Sequence, residues 1–165
     1  MVFDCERMKY PNTGLYHYCY HLASQLLYGA EPGVESLALY APAHVQALFP
    51  ATTQLIRQHP VHKLFMPRLN QGTVWHATHQ HTQYLPPQHR NIKVALTVHD
   101  LNFLYDPHKN EFKKQRCLHR LQKLVHRADA LICVSEYSRN DLQAHCRLYQ
   151  KPVHVIYNGT SLLQP

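Results

Sequence analysis

His99 and Asp100 are the side chains best placed for chemistry, because they directly follow the run Val94-Ala95-Leu96-Thr97-Val98. That run is aliphatic or β-branched without alternation, the pattern of a strand covered on both faces. In open parallel α/β sheets ligands bind beyond the carboxyl ends of the strands, so an imidazole and a carboxylate there meet a ligand if one is bound. The alternative is a strand-ending turn in which Asp100 bonds nearby backbone. A second cluster is His76, His79 and His81, and His17 and His21 stand one helical turn apart. Zinc-binding sequences usually add Cys or carboxylate ligands at set spacings, whereas residues 77–83 offer only histidines and neutral groups, so no metal is expected.

Charge forms another pattern. Lys113, Arg116, Arg120, Lys123 and Arg127 recur at three- and four-residue steps beside the apolar positions Leu118, Leu121, Val125 and Ala128. This stripe is either a solvated helix face or a contact with phosphates or anionic lipid. It has no interleaved aromatics of the kind that stack bases, so nucleic acid is not an expected partner. The five glycines, Gly14, Gly29, Gly33, Gly72 and Gly159, are spaced for neither a dinucleotide fingerprint, nor a Walker loop, nor a nucleophile elbow. No cofactor follows from them.

The elements that would position these groups alternate along the chain. Residues 1–5 open as a short apolar strand and 6–13 read as a loop. Leu15, Cys19, Leu22 and Leu26 then predict a helix ended by Gly29 and Pro32-Gly33. Residues 36–40 read as a strand, 43–58 as one or two short helices broken at Pro50, and 62–66 as a weaker strand. A strand at 73–76 and a polar loop at 77–91 precede the central strand. The longest helical pattern covers 111–128, with a strand at 130–134 after it. Ser138-Arg139-Asn140-Asp141 resembles a capping box opening a helix to about Leu148. The last strand, 152–157, ends at Asn158-Gly159, whose sequon with Thr160 is better read as a tight turn. This succession predicts a doubly wound, mostly parallel Rossmann-like sheet in a single domain.

Bulk properties agree. A chain of 165 residues with 45% hydrophobic content builds one core, and no apolar run reaches the roughly 20 residues of a membrane span. Five cysteines without a Cys-x-x-Cys predict free thiols. The amino terminus has acids where an export signal needs bases, so a cytoplasmic protein is expected, with any membrane contact peripheral at the inner face. The net charge of +7 suits phosphorylated or anionic-lipid partners, and fifteen histidines make it climb steeply below about pH 6.5.

Taken in order, Asn12-Thr13-Gly14-Leu15-Tyr16, Thr97-Val98-His99-Asp100-Leu101, Ala128-Asp129, Val134-Ser135-Glu136-Tyr137-Ser138 and Val155-Ile156-Tyr157-Asn158-Gly159 resemble the amino-terminal domain of retaining glycosyltransferases of family 4, the GT-B group. The resemblance covers residues 1–160, with 161–165 as the start of a linker. It implies the acceptor-side half of a two-domain fold. Gly14, with Tyr16 and His17, matches the first-strand loop beside donor phosphates and acceptor. His99 matches a histidine near the transferred sugar, with Asp100 its usual neighbour. Ser135 and Glu136 match the turn bordering the cleft, and Asn158 and Gly159 the hinge into the linker. Relatives often carry a second glycine where this chain has Tyr16, and an Arg where it has His17.

In that family the donor is held by a Glu-x7-Glu pair of the second domain. Glu6, Glu31, Glu35, Glu111 and Glu136 include no pair so spaced. The resemblance therefore implies a domain that is inactive alone, in an enzyme moving a hexose from a nucleotide-sugar to a glycan or lipid-linked acceptor without an obligatory metal. The donor would bind only with a second domain or chain. A non-enzymatic sugar-binding module, or one subunit of a split two-chain glycosyltransferase, is the alternative.

Overall fold

The computed structural model describes residues 1–31, 36–88 and 91–159. Pro32-Gly33, Thr160 and residues 161–165, expected to begin a linker, lie outside them. Seven strands, β1 (Val2–Asp4), β2 (Ala38–Ala41), β3 (Gln54–Arg57), β4 (Val74–Ala77), β5 (Lys93–Val98), β6 (Ala130–Cys133) and β7 (Val153–Val155), form one sheet in the order β3-β2-β1-β4-β5-β6-β7. Every pairing is parallel. Helices α1 (Gly14–Gly29), α2 (Glu111–Arg127) and α3 (Glu136–His145) complete a Rossmann-like α/β domain.

Strand alternation sorts side chains to two faces. Phe3 and Leu39 pack with Cys19 and Ala23 of α1, whereas Tyr40, Trp75, Leu96 and Leu131 pack with Leu121 and Val125 of α2 and Leu142 of α3. The sheet is thus covered by α1 on one side and by α2 and α3 on the other. The Ala128-Asp129 pair locks the α2–β6 junction: the Asp129 carboxylate accepts the Val94 N–H (2.8 Å) and the Lys93 ammonium (2.9 Å), and its own N–H donates to the Val94 carbonyl (2.7 Å). Among the described residues no helix is long and apolar enough to cross a membrane.

Three expectations need correction. Residues 43–58 are not two helices: a 3-10 turn at Ala43–Leu48 is followed by β3, an edge strand whose two half-buried apolar residues gain their place by pairing with β2 (Leu39 opposite Leu55). Residues 62–66 are not a strand. Pro60–Lys63 is a 3-10 turn, because Pro60 starts it and His59 Nδ1 accepts the Val61 N–H. Finally, α3 begins earlier than Ser138. Ser135 is its cap, and Ser138 is the reciprocal partner whose Oγ accepts the Ser135 N–H.

Because Leu121 is fully buried between α2 and the sheet, Leu121→Ala is expected to cost about 2–5 kcal/mol. Lys123→Ala, on the exposed face, should stay within about 0.5 kcal/mol. Denaturant midpoints of the two variants check the packing direction of α2.

Candidate functional site

The strand order runs outward in opposite senses from β1 and β4, so the topological switch point lies between them, and a small polar crevice lined by Glu6, Arg7, Lys9 and His81 lies beyond their carboxyl ends. The loops after β1 and β4 wall it. Asp4 ends β1 and is 2% exposed. Its carboxyl accepts the Glu6 N–H (2.9 Å) and meets the Thr82 hydroxyl (3.2 Å), and its carbonyl accepts the Thr78 hydroxyl (2.7 Å). Burial pushes the Asp4 carboxyl up to about 7. Glu6, also buried, pairs with Lys9 and lies 3.4 Å from Arg7.

His79, in the loop after β4, faces Arg7. The Arg7 guanidinium lies 3.1 Å from His79 Nδ1, and the His81 N–H reaches the same nitrogen at 3.1 Å. Two donors on Nδ1 leave the ring proton on Nε2. Burial first, and then the Arg7 charge, lower His79 to about 3, so it is neutral. His76 is elsewhere, in the sheet, with Nε2 2.8 Å from the Thr97 hydroxyl, and burial lowers it to about 4. The histidine trio is thereby split. Among the described residues no group of three His, Cys, Asp or Glu is arranged to hold a metal.

His99 and Asp100 adjoin this wall at the end of β5. Gln80, 2% exposed, holds both: its carbonyl oxygen accepts the His99 N–H (3.1 Å) and its amide donates to the Asp100 carbonyl (2.9 Å). His99 Nε2 donates to the Thr78 carbonyl (2.9 Å), and the ring meets Tyr18 of α1 edge to face at 4.7 Å. Burial lowers the His99 pKa, opposed by the Thr78 carbonyl and Asp100. The neutral ring therefore keeps Nδ1 as an acceptor without a partner among the described residues. The Asp100 carboxylate does what the turn reading anticipates and accepts the Asn102 N–H (2.9 Å).

The remaining expected positions are spread along the same edge. Thr13 caps α1 by accepting the Tyr16 N–H (3.2 Å), after Asn12 turns the chain at φ 62°. A Cβ on Gly14 would meet nothing within 4 Å, so this chain itself does not demand a glycine there. Tyr16 is half-buried and rests against the exposed His17, which stacks on His21. Ser135 caps α3, Glu136 pairs with Arg139, and Asn158 and Gly159 are exposed after β7. Among the described residues no hydrogen bond or ring contact joins these to His99. Of the basic stripe, Lys113, Arg116, Arg120 and Lys123 are exposed. Arg127 departs from it: its guanidinium turns inward to the Pro86 and Ile92 carbonyls (3.2 and 3.0 Å) and stands 3.7 Å from Asp129. Gln80 and Arg7 escape sequence reading, since a Gln in a polar loop and an Arg in a charged turn have no periodicity to mark them.

Two sets of groups give opposite pH dependences. The native state holds more protons at Asp4 than the unfolded chain between about pH 4 and 7, so that stabilisation is full at low pH and lost as pH rises through 7. His76 and His79 hold fewer protons when folded, so theirs is full above about 6.5 and lost as pH falls toward 4 and 3. Asp4→Asn removes only the first. Its denaturant midpoint relative to wild type is expected to rise between pH 5 and 8, by roughly 2 kcal/mol in stability. A difference that stays flat across that range would show that Asp4 titrates normally.

Residues 29–162 match the model of a family described as Glycosyltransferase Family 4. The matched segment runs from the end of α1 past β7 and includes His99, Asp100, Ser135, Glu136, Asn158 and Gly159, while Gly14, Tyr16 and His17 precede it. No curated protein and no solved structure matches the chain. With a Rossmann-like parallel sheet, a polar crevice at its switch point and a family match over most of its length, this chain belongs to glycosyltransferase family 4.

Proposed function

We propose that the chain is the acceptor-side, amino-terminal domain of a retaining GT-B glycosyltransferase that moves a hexose from a nucleotide-sugar to a glycan or lipid-linked acceptor. The observation that carries this reading is His99. It is a neutral imidazole at the carboxyl edge of the sheet, fixed by Thr78, Gln80 and Tyr18, with Nδ1 left to accept a hydrogen bond. Such a group can take a sugar hydroxyl without adding a fixed charge. The start of α1 at Gly14 offers backbone N–H groups of the kind that favour anionic oxygens. If the leaving phosphate assists acceptor attack on the same sugar face, the protein contributes mainly positioning and charge stabilisation.

Donor binding is assigned to a second domain or chain, because the glutamates here include no Glu-x7-Glu pair. The same observation favours a split two-chain enzyme as the second reading. The 165-residue polypeptide alone is expected to release no nucleotide from a panel of sugar donors. With a donor-binding partner restored, turnover should appear, and His99→Ala should lower it by about 10²-fold. Turnover by the isolated chain that is lost in His99→Ala would overturn the division of labour. Unchanged turnover in the restored His99→Ala enzyme would remove His99 from the site.

A peripheral place at the inner face of a membrane suits a lipid-linked acceptor, with Lys113, Arg116, Arg120 and Lys123 facing anionic headgroups. Each would contribute about 1 kcal/mol near such a surface. Sedimentation with anionic liposomes should show binding that weakens with salt and on reversing these four charges to Glu, and equal binding by the reversed variant would reject this face.

A further inference from the structure

Beyond β3 the surface carries an apolar turn that the fold does not bury. Leu64 is 80% exposed and Phe65 is 73% exposed, with Val61 half-exposed beside them. All strands being parallel, this turn opens on the same edge as His99. The turn is built firmly. The Leu64 and Phe65 N–H groups both donate to the Val61 carbonyl (3.0 and 2.9 Å). His59 Nδ1 accepts the Val61 N–H, His62 Nδ1 accepts the His59 N–H, the Tyr40 hydroxyl lies 3.2 Å from that same His62 nitrogen, and Met66 is buried in the core. Leu64 and Phe65 are held outward on satisfied backbone, so moving them into an apolar medium strands neither N–H.

The surrounding charge has one sign. Arg57, Lys63 and Arg68 are exposed, and none of the three pairs with a carboxylate among the described residues. From Ser36 to His99 the sequence contains no Asp or Glu at all. Lys63 also lies over the Tyr84 ring and lines a cavity of about 190 Å³ whose one carboxylate, that of Glu6, is already paired with Arg7 and Lys9. Three apolar side chains fall well short of the roughly 800 Å² a side of a standard protein interface. Apolar side chains flanked in sequence by exposed cations that have no carboxylate partner among the described residues instead fit the boundary between headgroups and acyl chains.

We propose that residues 60–66 form a membrane-inserting tip: Leu64 and Phe65 enter the acyl layer of an anionic bilayer while Arg57, Lys63 and Arg68 lie among lipid phosphates. This contact rests on the turn's own surface, and holds or fails independently of the transferase reading. It is also distinct from the α2 stripe, since β3 is the edge strand and α2 joins β5 to β6.

Trp75 is the sole tryptophan and is fully buried, so Phe65→Trp adds one surface indole. With vesicles of phosphatidylcholine and phosphatidylglycerol, that indole is expected to shift to the blue and to be quenched by brominated acyl chains. Pure phosphatidylcholine should give little of either. Tyr28→Trp, at the 90% exposed end of α1, should show neither change. Leu64→Ser combined with Phe65→Ser should weaken partitioning into anionic vesicles at least about tenfold. Reversing the four α2 charges should leave the Phe65→Trp indole quenched in whatever protein binds. The proposal is overturned by an unquenched indole in vesicle-bound protein, by wild-type partitioning of the double Ser variant, or by a concentration-dependent blue shift without lipid, which would mean that a second copy covers the turn.

Discussion

Parallel pairing of all seven strands is the constraint on which the rest depends, because it makes every strand hand its chain to the same edge of the sheet. Apolar side chains occupy the two faces, so groups with chemistry to offer collect where the strands end. The reversal of strand order between β1 and β4 then brings the loops after them side by side at that edge, where hydrogen bonds join them. Asp4, Arg7, Thr78, His79 and Gln80 meet there for reasons of topology, although up to 76 residues separate them along the chain.

Crowding polar groups at that edge sets their charge states. Asp4 loses enough water that its carboxyl resists ionisation, and burial, with the Arg7 charge beside it, keeps His79 neutral. Glu6 balances Arg7 and Lys9. The result is a wall in which neutral hydrogen-bonding groups stand beside the mutually balanced charges of Glu6, Arg7 and Lys9. Gln80 is central to it. By bonding the backbone on both sides of the His99–Asp100 peptide, it fixes the loop from which the His99 ring projects. The side chain of Asp100 is committed to the next turn, so of the pair it is the imidazole that keeps a ring nitrogen without a partner among the described residues.

Helix α2 shows how one periodic pattern can serve two purposes. Its leucine positions bury against the sheet, and four of its five spaced bases remain in solvent. The fifth, Arg127, reaches the last turn where the chain must rejoin the sheet, and it satisfies carbonyls of the loop before β5. Spacing alone could not separate these roles, because position on the helix predicts which face a base shares but not whether a loop folds over it.

Local sequence pattern was enough for the doubly wound class, the strands β1, β2, β4, β5, β6 and β7, the three helices and the placing of His99 at a strand end. Each of these is written in local patterns: continuous apolar runs, a leucine stripe, polar residues where a helix opens. The sequence also placed the chain beside family 4, through short motifs whose order repeats the strand order. Tertiary structure decided what local pattern cannot encode. Edge strand β3, with two apolar residues in four, exists because β2 pairs with it. The turn at Pro60–Lys63 replaces an apparent strand because His59 and His62 satisfy its backbone. The partnership of Gln80 with His99, and of Arg7 with His79, arises only when loops distant in sequence close on one crevice, since a hydrogen bond between such residues leaves no periodicity along the chain to read.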